Sequence, residues 1–489
     1  MRIAALATLA TINVFTLVAG IAVARMLPLR LAALRVPTVA AAPVVGAGAV
    51  LPSGAQGGEL PTAGRLRSAV AAPLSALRAQ ISVLIADPAT GQVLLSDDGT
   101  RLMTPASTAK LVTAAAALGV LGGDARFSTR VVRGAAPGSI VLVGGGDPTL
   151  AVHPYPAGEY PQPATLAALA AQAARALKSA ASSTVSLGYD TSLYTGPDMA
   201  PGWPDGYVSS GNVTAIVSLE VDQGRLTASG APEDSDDPGN LRPRATDPAG
   251  QAAASFAALL AADGIRVTGA PVAQAAPAHS PVIASVASPP LSAIVAQMLQ
   301  ESNNVIAENL ARQVALAVGA PASFADAAAA LSAELGRLGI TGGIRMSDGS
   351  GLSPDDAVAP ATLVGVLQRA VADPGLRPLL GGLPVAGFSG TLSAGQSIFG
   401  GIGGAALGSV RAKTGNLDTV TALAGLAYDS SGAMLAFAIM ADDVPTAELP
   451  AAAKAIDAAA TALAGCGCRL PTPAATTYGG DSELRNGAP

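Results

Sequence analysis

Lysine is nearly missing from this 489-residue chain: four occur against 24 arginines, at Lys110, Lys178, Lys413 and Lys454. Histidine and cysteine are rarer still, with only His153, His279, Cys466 and Cys468. Two cysteines cannot build a four-cysteine zinc site, and no H-E-x-x-H occurs, which excludes the common zinc-hydrolase designs. No G-x-S-x-G elbow is present and neither histidine sits in a recognisable motif, so a Ser-His-Asp triad finds no support. Aromatic residues make up only 3% of a chain that is 50% hydrophobic, so alanine, valine and leucine must build the interior. The net charge of −6 comes without any basic stripe, which argues against a nucleic-acid partner. The length exceeds one ordinary core and implies two or three domains, or one enlarged by an insertion.

The N-terminus is apolar. Ile3 to Val23 follows Arg2 almost without charge, longer than most signal-peptide cores and about long enough to span a bilayer. Residues 1–35 are therefore read as a signal peptide or membrane anchor, with small residues at Ala22-Val23-Ala24 and Ala40-Ala41-Ala42 as cleavage candidates. Arg25, Arg30 and Arg35 lie on the far side of the run and oppose an anchor whose N-terminus is inside. Residues 36–65, rich in Pro, Gly and Ala, form a linker. At the other end, residues 466–489 are read as a disordered tail. Its Cys466-Gly467-Cys468 would form either a small strained disulfide loop or a pair of free thiols.

Between these ends, strands at Ile81–Ile85 and Gln92–Leu95 flank the turn residues Asp87 to Gly91, a hairpin signal. Pro105 precedes Ser107, and Leu111 to Leu121 is strongly helix-forming, which sets Ser107 near a helix N-terminus where N–H groups and the positive dipole end point outward. Gly144-Gly145-Gly146 ends a strand; with no G-K-[ST] following, it is read as a tight turn and not a phosphate cradle. Helical character runs from Pro290 to Val318. Strands at Ser409–Gly415, Val420–Ala427 and Met434–Met440 precede an alanine-rich helix, a pattern that fits an antiparallel sheet covered by helices, of the α+β (α/β) class.

Three short motifs carry chemistry. Ser107-Thr108-Ala109-Lys110 places a hydroxyl and an amine three residues apart, on one helical face. An amine, unlike a guanidinium, can lose its proton at accessible pH when buried, and can then take the proton that makes serine a nucleophile. In a chain that otherwise uses arginine, a lysine here and another at Lys413-Thr414-Gly415 indicates that an amine is specifically required. Lys413 and Thr414 can hold a substrate carboxylate, while Gly415 lets the backbone approach closely. Between them, Ser302-Asn303-Asn304 offers a hydroxyl for proton relay and an amide for a substrate peptide group. Taken singly, each motif is more often an exposed helix residue or a strand ending in a turn. Their order and their elements, helix, helix and strand, make the catalytic reading.

The chain closely resembles the D-alanyl-D-alanine carboxypeptidase/endopeptidase family of the DacB type, the class C low-molecular-mass penicillin-binding proteins. Besides the three motifs, the resemblance rests on Gly144 to Leu150, Trp203-Pro204-Asp205-Gly206-Tyr207, Glu301 to Leu310, Asp348 to Ser353 and Gly387 to Leu392. It implies a penicillin-binding transpeptidase/β-lactamase-like domain with an inserted domain between the first two motifs, as the 195 positions from Ser107 to Ser302 allow. The insert is placed at 141–280, with the peptidase domain at 66–140 and 281–465. The resemblance further implies Ser107 as the acylated nucleophile, Lys110 as its base and Ser302 as a proton relay. Asn304, Lys413, Thr414 and Gly415 would bind substrate, and the backbone N–H groups of Ser107 and Asn416 would form the oxyanion hole. No metal or cofactor is implied. Peptidoglycan stem peptides would be the substrates, β-lactams covalent inhibitors, and the location extracytoplasmic, either secreted or periplasmic or anchored through residues 3–23. Two competing readings are a β-lactamase, for which no E-x-x-x-N element is apparent although Glu308 is nearby, and a non-catalytic cell-wall binding or assembly protein.

Overall fold

The computed structural model describes residues 58–226, 243–394 and 402–467. The expected leader at 1–35, most of the linker and Cys468 with the rest of the tail lie outside the described residues.

The described chain opens with helix α1 (Ala63–Leu74), which starts inside the span read as linker, and the hairpin β1 (Gln80–Ala86) and β2 (Val93–Asp97). A 3-10 turn at Ala106–Ala109 runs directly into α2 (Lys110–Leu121). Strands β3 (Ser128–Arg133) and β4 (Ser139–Val143) follow, then α3 (Leu166–Ser179) and β5 (Thr184–Asp190). Short 3-10 turns at Asp205–Tyr207 and Asp222–Gly224 come next, then α4 (Pro248–Ala262), the short strands β6 (Arg266–Val267) and β7 (Val272–Ala273), and β8 (Val282–Ala287). Helices α5 (Leu291–Glu301), α6 (Asn304–Ala317) and α7 (Phe324–Arg337) precede the short pair β9 (Ile344–Arg345) and β10 (Ala357–Val358). The chain then forms α8 (Pro360–Ala372), α9 (Arg377–Gly381), β11 (Val410–Leu417), β12 (Val420–Tyr428), β13 (Met434–Asp442) and α10 (Leu449–Gly465).

The two larger sheets of the described residues divide the work. The first is five-stranded, ordered β11-β12-β13-β1-β2, and every pairing in it is antiparallel. Because side chains alternate across a strand, a sheet covered on both faces needs apolar residues at every position. β13 shows this directly. Leu435, Phe437, Ile439 and Ala441 belong to a core shared with α1 and α10 on one face, while Ala436, Ala438 and Met440 face α8 and join the core that continues into α2, α5, α6 and α7. Alanine is the small residue that lets those helices lie close, which is how a core so poor in aromatics still closes.

The second sheet is mixed, with main order β6-β5-β4-β3-β8 and β7 paired to β5; β4–β5 is parallel and β3 is antiparallel to both neighbours. α3 and α4 cover it through Leu166, Leu169, Ala173, Phe256 and Leu260. Thr165 caps α3, and Asp247 caps α4 with Pro248 in its first turn. This sheet takes in β3 and β8, strands on either side of the 141–280 span expected for the insert. A smaller apolar cluster joins the loop after β5 to the helical layer, through Ala200, Trp203, Val213 and Ile216 against Val305, Phe324 and Leu352.

The run from Pro290 to Val318 is not one helix. Ser302 adopts a left-handed conformation at φ 56° and ψ 36°, ending α5, and Asn303 then caps α6 through a 3.1 Å bond from the Ile306 N–H. Periodicity cannot reveal such a break, because a single left-handed residue leaves the apolar pattern on both sides intact.

Phe437 is fully buried between β13 and the α1/α10 layer. Phe437→Ala should lower the unfolding free energy by about 3–5 kcal/mol, measured by chemical denaturation with an unchanged denaturant slope. A loss below about 1 kcal/mol would mean that this face of the sheet is not the packed core described.

Candidate active site

The site lies where the 3-10 turn, the α5–α6 junction and β11 meet. Ser107 stands in the turn just before α2, half-buried, behind an Ala106 held at φ +45°. A non-glycine residue in that region is strained by about 1–3 kcal/mol, so the surrounding structure must enforce it. Gly351 does part of this. It sits at φ +81° directly against the Ala106 carbonyl, where any Cβ would overlap the oxygen.

The Lys110 Nζ lies 2.9 Å from Ser107 Oγ, 2.6 Å from Asn304 Oδ1 and 2.8 Å from the Ser350 carbonyl oxygen. All three partners are neutral and the side chain is fully buried. Burial pushes the Lys110 pKa down to about 7, opposed by the more distant carboxylates of Asp348, Glu308 and Asp356. The amine is thus within hydrogen-bond reach of a serine hydroxyl and able to shed its proton near neutrality.

A second serine–lysine pair faces the first. Lys413 Nζ is 2.8 Å from Ser302 Oγ and 2.9 Å from the Thr414 carbonyl oxygen. Burial, then repulsion from Lys110, holds the Lys413 pKa well below the usual lysine value. Thr414 Oγ1 is 2.9 Å from Thr391 Oγ1. Gly415 presses on the turn that carries Ser107: a Cβ there would sit 2.7 Å from the Pro105 carbonyl oxygen and 3.1 Å from the Thr108 nitrogen. That contact explains why this β11 position takes glycine, since a side chain would separate the strand from Ser107.

β11 is an edge strand, and its outer side is partly paired. The Ala412 N–H donates to the Pro384 carbonyl at 3.0 Å, and the Ala386 N–H donates to the Val410 carbonyl at 2.9 Å. Backbone groups alternate sides with period two, so the Asn416 N–H faces that same outer edge, beyond the paired stretch. The remaining sequence-derived residues, Asn304 and Ser302, lie on either side of Asn303 at the α5–α6 junction. The structure therefore brings all of Ser107, Lys110, Ser302, Asn304, Lys413, Thr414 and Gly415 to one place.

Several neighbours were not singled out as site residues from the sequence. Asn212 accepts from Asn304 Nδ2 through its carbonyl at 2.9 Å, and Trp203 donates from Nε1 to Asp348 Oδ2 at 2.8 Å. Asp348 also accepts the N–H groups of Ser350, Gly351 and Ser353. Glu308 accepts those of Gly349 and Ser350, and burial followed by repulsion from Asp348 raises its pKa. Asp356 is raised for the same two reasons. The motifs holding Trp203, Glu308 and Asp348 were visible as words of the resemblance, but partners 41 to 145 positions apart cannot be paired from one sequence. Glu308 thus holds this loop through the Gly349 and Ser350 N–H groups.

Two buried serine–lysine pairs thus meet at the edge of a helix-covered antiparallel sheet, and neither histidine is among them. The D-Ala-D-Ala carboxypeptidase 3 (S13) family model matches residues 64–242 and 209–463, and the chain belongs to that family. It is 38% identical over 393 residues to the carboxypeptidase DacB of Mycolicibacterium smegmatis, covering 78% of this chain and 81% of that one. Identity to the D-alanyl-D-alanine carboxypeptidase of Actinomadura sp. (strain R39) is 30% over 421 residues, covering 73% of this chain and 77% of the relative. In fold it is similar to the crystal structure of penicillin-binding protein 4 from Haemophilus influenzae, at TM-score 0.65 and 23% identity, over 79% of this chain and 98% of that one. The protein is accordingly a D-Ala-D-Ala carboxypeptidase, a serine peptidase acting on the cell wall.

Gly351→Ala should displace the Ala106–Ser107 turn and lower kcat/KM on a D-Ala-D-Ala peptide by about 100-fold, the scale of a reacting group misplaced by an ångström. Steady-state hydrolysis by the folded variant measures this; wild-type activity would show that the turn does not depend on Gly351.

Proposed function

We propose that this carboxypeptidase cleaves the terminal D-Ala-D-Ala bond of peptidoglycan stem peptides through an acyl-enzyme on Ser107, with Lys110 as its base. The observation that carries this reading is the fully buried Lys110 amine 2.9 Å from Ser107 Oγ. Lys110 takes the hydroxyl proton as Oγ attacks the carbonyl carbon of the penultimate D-alanine. The N–H groups of Ser107 and Asn416 hold the resulting oxyanion. When the intermediate collapses, the C–N bond breaks and the departing amine of D-alanine takes a proton relayed through Ser302. Water then cleaves the ester and restores Ser107.

Lys413 and Thr414 are assigned to the substrate's terminal carboxylate, and Asn304 to its peptide group. Burial, then Lys110, disfavours the ammonium form of Lys413. A carboxylate arriving beside it would favour that form and so oppose the downward shift. Cutting after D-alanine within a cross-link uses the same steps, and we include this endopeptidase activity in the proposal. The site would act outside the cytoplasm, where peptidoglycan lies, on an enzyme exported by residues 1–35 and either released or held through residues 3–23. The unit from Ser128 to Ala287 is proposed as the insert.

β-Lactams would acylate the same serine, because their strained amide mimics the scissile bond. A structure of the Haemophilus influenzae protein with a bound β-lactam is consistent with this. Brief exposure to a penicillin should leave one persistent adduct, mapped by mass spectrometry to Ser107 and absent in Ser107→Ala. Lys110→Ala should slow adduct formation by about 10²–10⁴-fold. The acylation rate should rise through a midpoint near pH 7, since only the deprotonated amine has a lone pair to offer. Below the midpoint it should fall about tenfold per pH unit. Labelling that persists in Ser107→Ala, or a rate flat from pH 5 to 9, would overturn these assignments.

A further inference from the structure

A neutral amine has two N–H donors and one lone pair. For Lys110 to act as a base, its lone pair must point at Ser107 Oγ, so both N–H groups must find acceptors elsewhere. The structure holds two: Asn304 Oδ1 at 2.6 Å and the Ser350 carbonyl at 2.8 Å. Neither is self-fixing. An amide can turn over and present its NH₂ group, which would repel the Lys110 donors, and the Ser350 carbonyl lies in an irregular loop.

Both are fixed by residues 191–226, which follow β5. The Asn212 carbonyl accepts from Asn304 Nδ2 at 2.9 Å. A carbonyl can only accept, so this bond fixes which end of the amide faces Lys110. Trp203 Nε1 donates to Asp348 Oδ2 at 2.8 Å. Asp348 in turn gathers the N–H groups of Ser350, Gly351 and Ser353 at 2.7–3.0 Å, which shapes the loop and aims the Ser350 carbonyl. Trp203 is itself only 8% exposed, packed edge-on to Phe324 with ring centroids 5.3 Å apart.

We infer that the segment bearing Trp203 and Asn212 is a positioning element of the catalytic centre, which aims the lone pair of Lys110 at Ser107 by fixing its two other hydrogen-bond partners. Trp203 acts through Asp348 and the Ser350 carbonyl, Asn212 through Asn304. The inference rests on Lys110 being the base. It gives the insertion a chemical role beyond any contact with substrate.

The charged groups bearing on Lys110 are Asp348, Glu308 and Asp356 from the helix and loop behind it, while on the β11 side Lys413 is itself shifted down by Lys110. Losing the indole N–H removes a donor that offsets the charge of Asp348. The ammonium form of Lys110 then gains stability, and the midpoint of the acylation profile moves up.

The test is the pH dependence of penicillin acylation in Trp203→Phe, with Phe324→Leu as the control that disturbs the same packing but leaves the N–H in place. In Trp203→Phe the midpoint should rise above the wild-type value and the high-pH plateau fall about tenfold, the weight of one hydrogen bond to a charged group. Phe324→Leu should lose stability but keep the wild-type midpoint. If Trp203→Phe does not fold, benzothienylalanine at position 203 keeps the ring shape without the N–H, and the same shift is expected. A folded 203 variant with an unmoved midpoint and a plateau within twofold of wild type would overturn the inference, as would an equal midpoint shift in Phe324→Leu. Failure of the base assignment looks different: the wild-type profile itself would lack its midpoint, or Lys110→Ala would still be acylated at the wild-type rate.

Discussion

Two lysines buried side by side are the constraint on which the rest of the site depends. An ammonium taken out of water without a carboxylate in hydrogen-bond contact is costly, and a second one nearby makes each worse. The fold nevertheless surrounds Lys110 and Lys413 with hydroxyls, amides and carbonyls, and keeps Asp348, Glu308 and Asp356 one step further away. A direct salt bridge would stabilise the charge and remove the base. The observed arrangement gives up that stabilisation, and burial lowers the Lys110 pKa to about 7.

Such a site requires rigid walls. The turn at Ala106–Ser107 is strained, Ser302 is left-handed, and Gly351 and Gly415 touch backbone that leaves no room for a side chain. These conformations persist because the five-stranded sheet and its alanine-rich helices are closely packed around them. Each motif serine is presented by an irregular residue at the start or end of a helix, and each lysine by a regular element behind it. Precision in the position of a hydroxyl is thus set by packing tens of residues away in sequence.

Much of this was legible in the sequence, for identifiable reasons. Scarcity made Lys110 and Lys413 conspicuous, and helical spacing put Ser107 beside Lys110. Apolar runs bounded by turn residues gave β1, β2 and β11 to β13. The break at Ser302 was hidden because it leaves the hydrophobic pattern unchanged. The mixed sheet reaches β3 and β8 through pairings such as Val131 with Ala284, which only the folded chain can specify. The carboxylates behind Lys110 were hidden for a related reason: Asp348 and Glu308 earn their roles through partners remote in sequence, not through their own spacing.

The central claim is that Lys110 becomes a neutral amine near pH 7 while buried beside Ser107. With only four lysines in the chain, ζ-nitrogen-labelled lysine gives an NMR spectrum simple enough to assign by substitution. The account predicts that the Lys110 signal titrates with a midpoint at about 7 in the free enzyme. A Lys110 that stays protonated to pH 10 would contradict it, and would require another group to take the proton from Ser107.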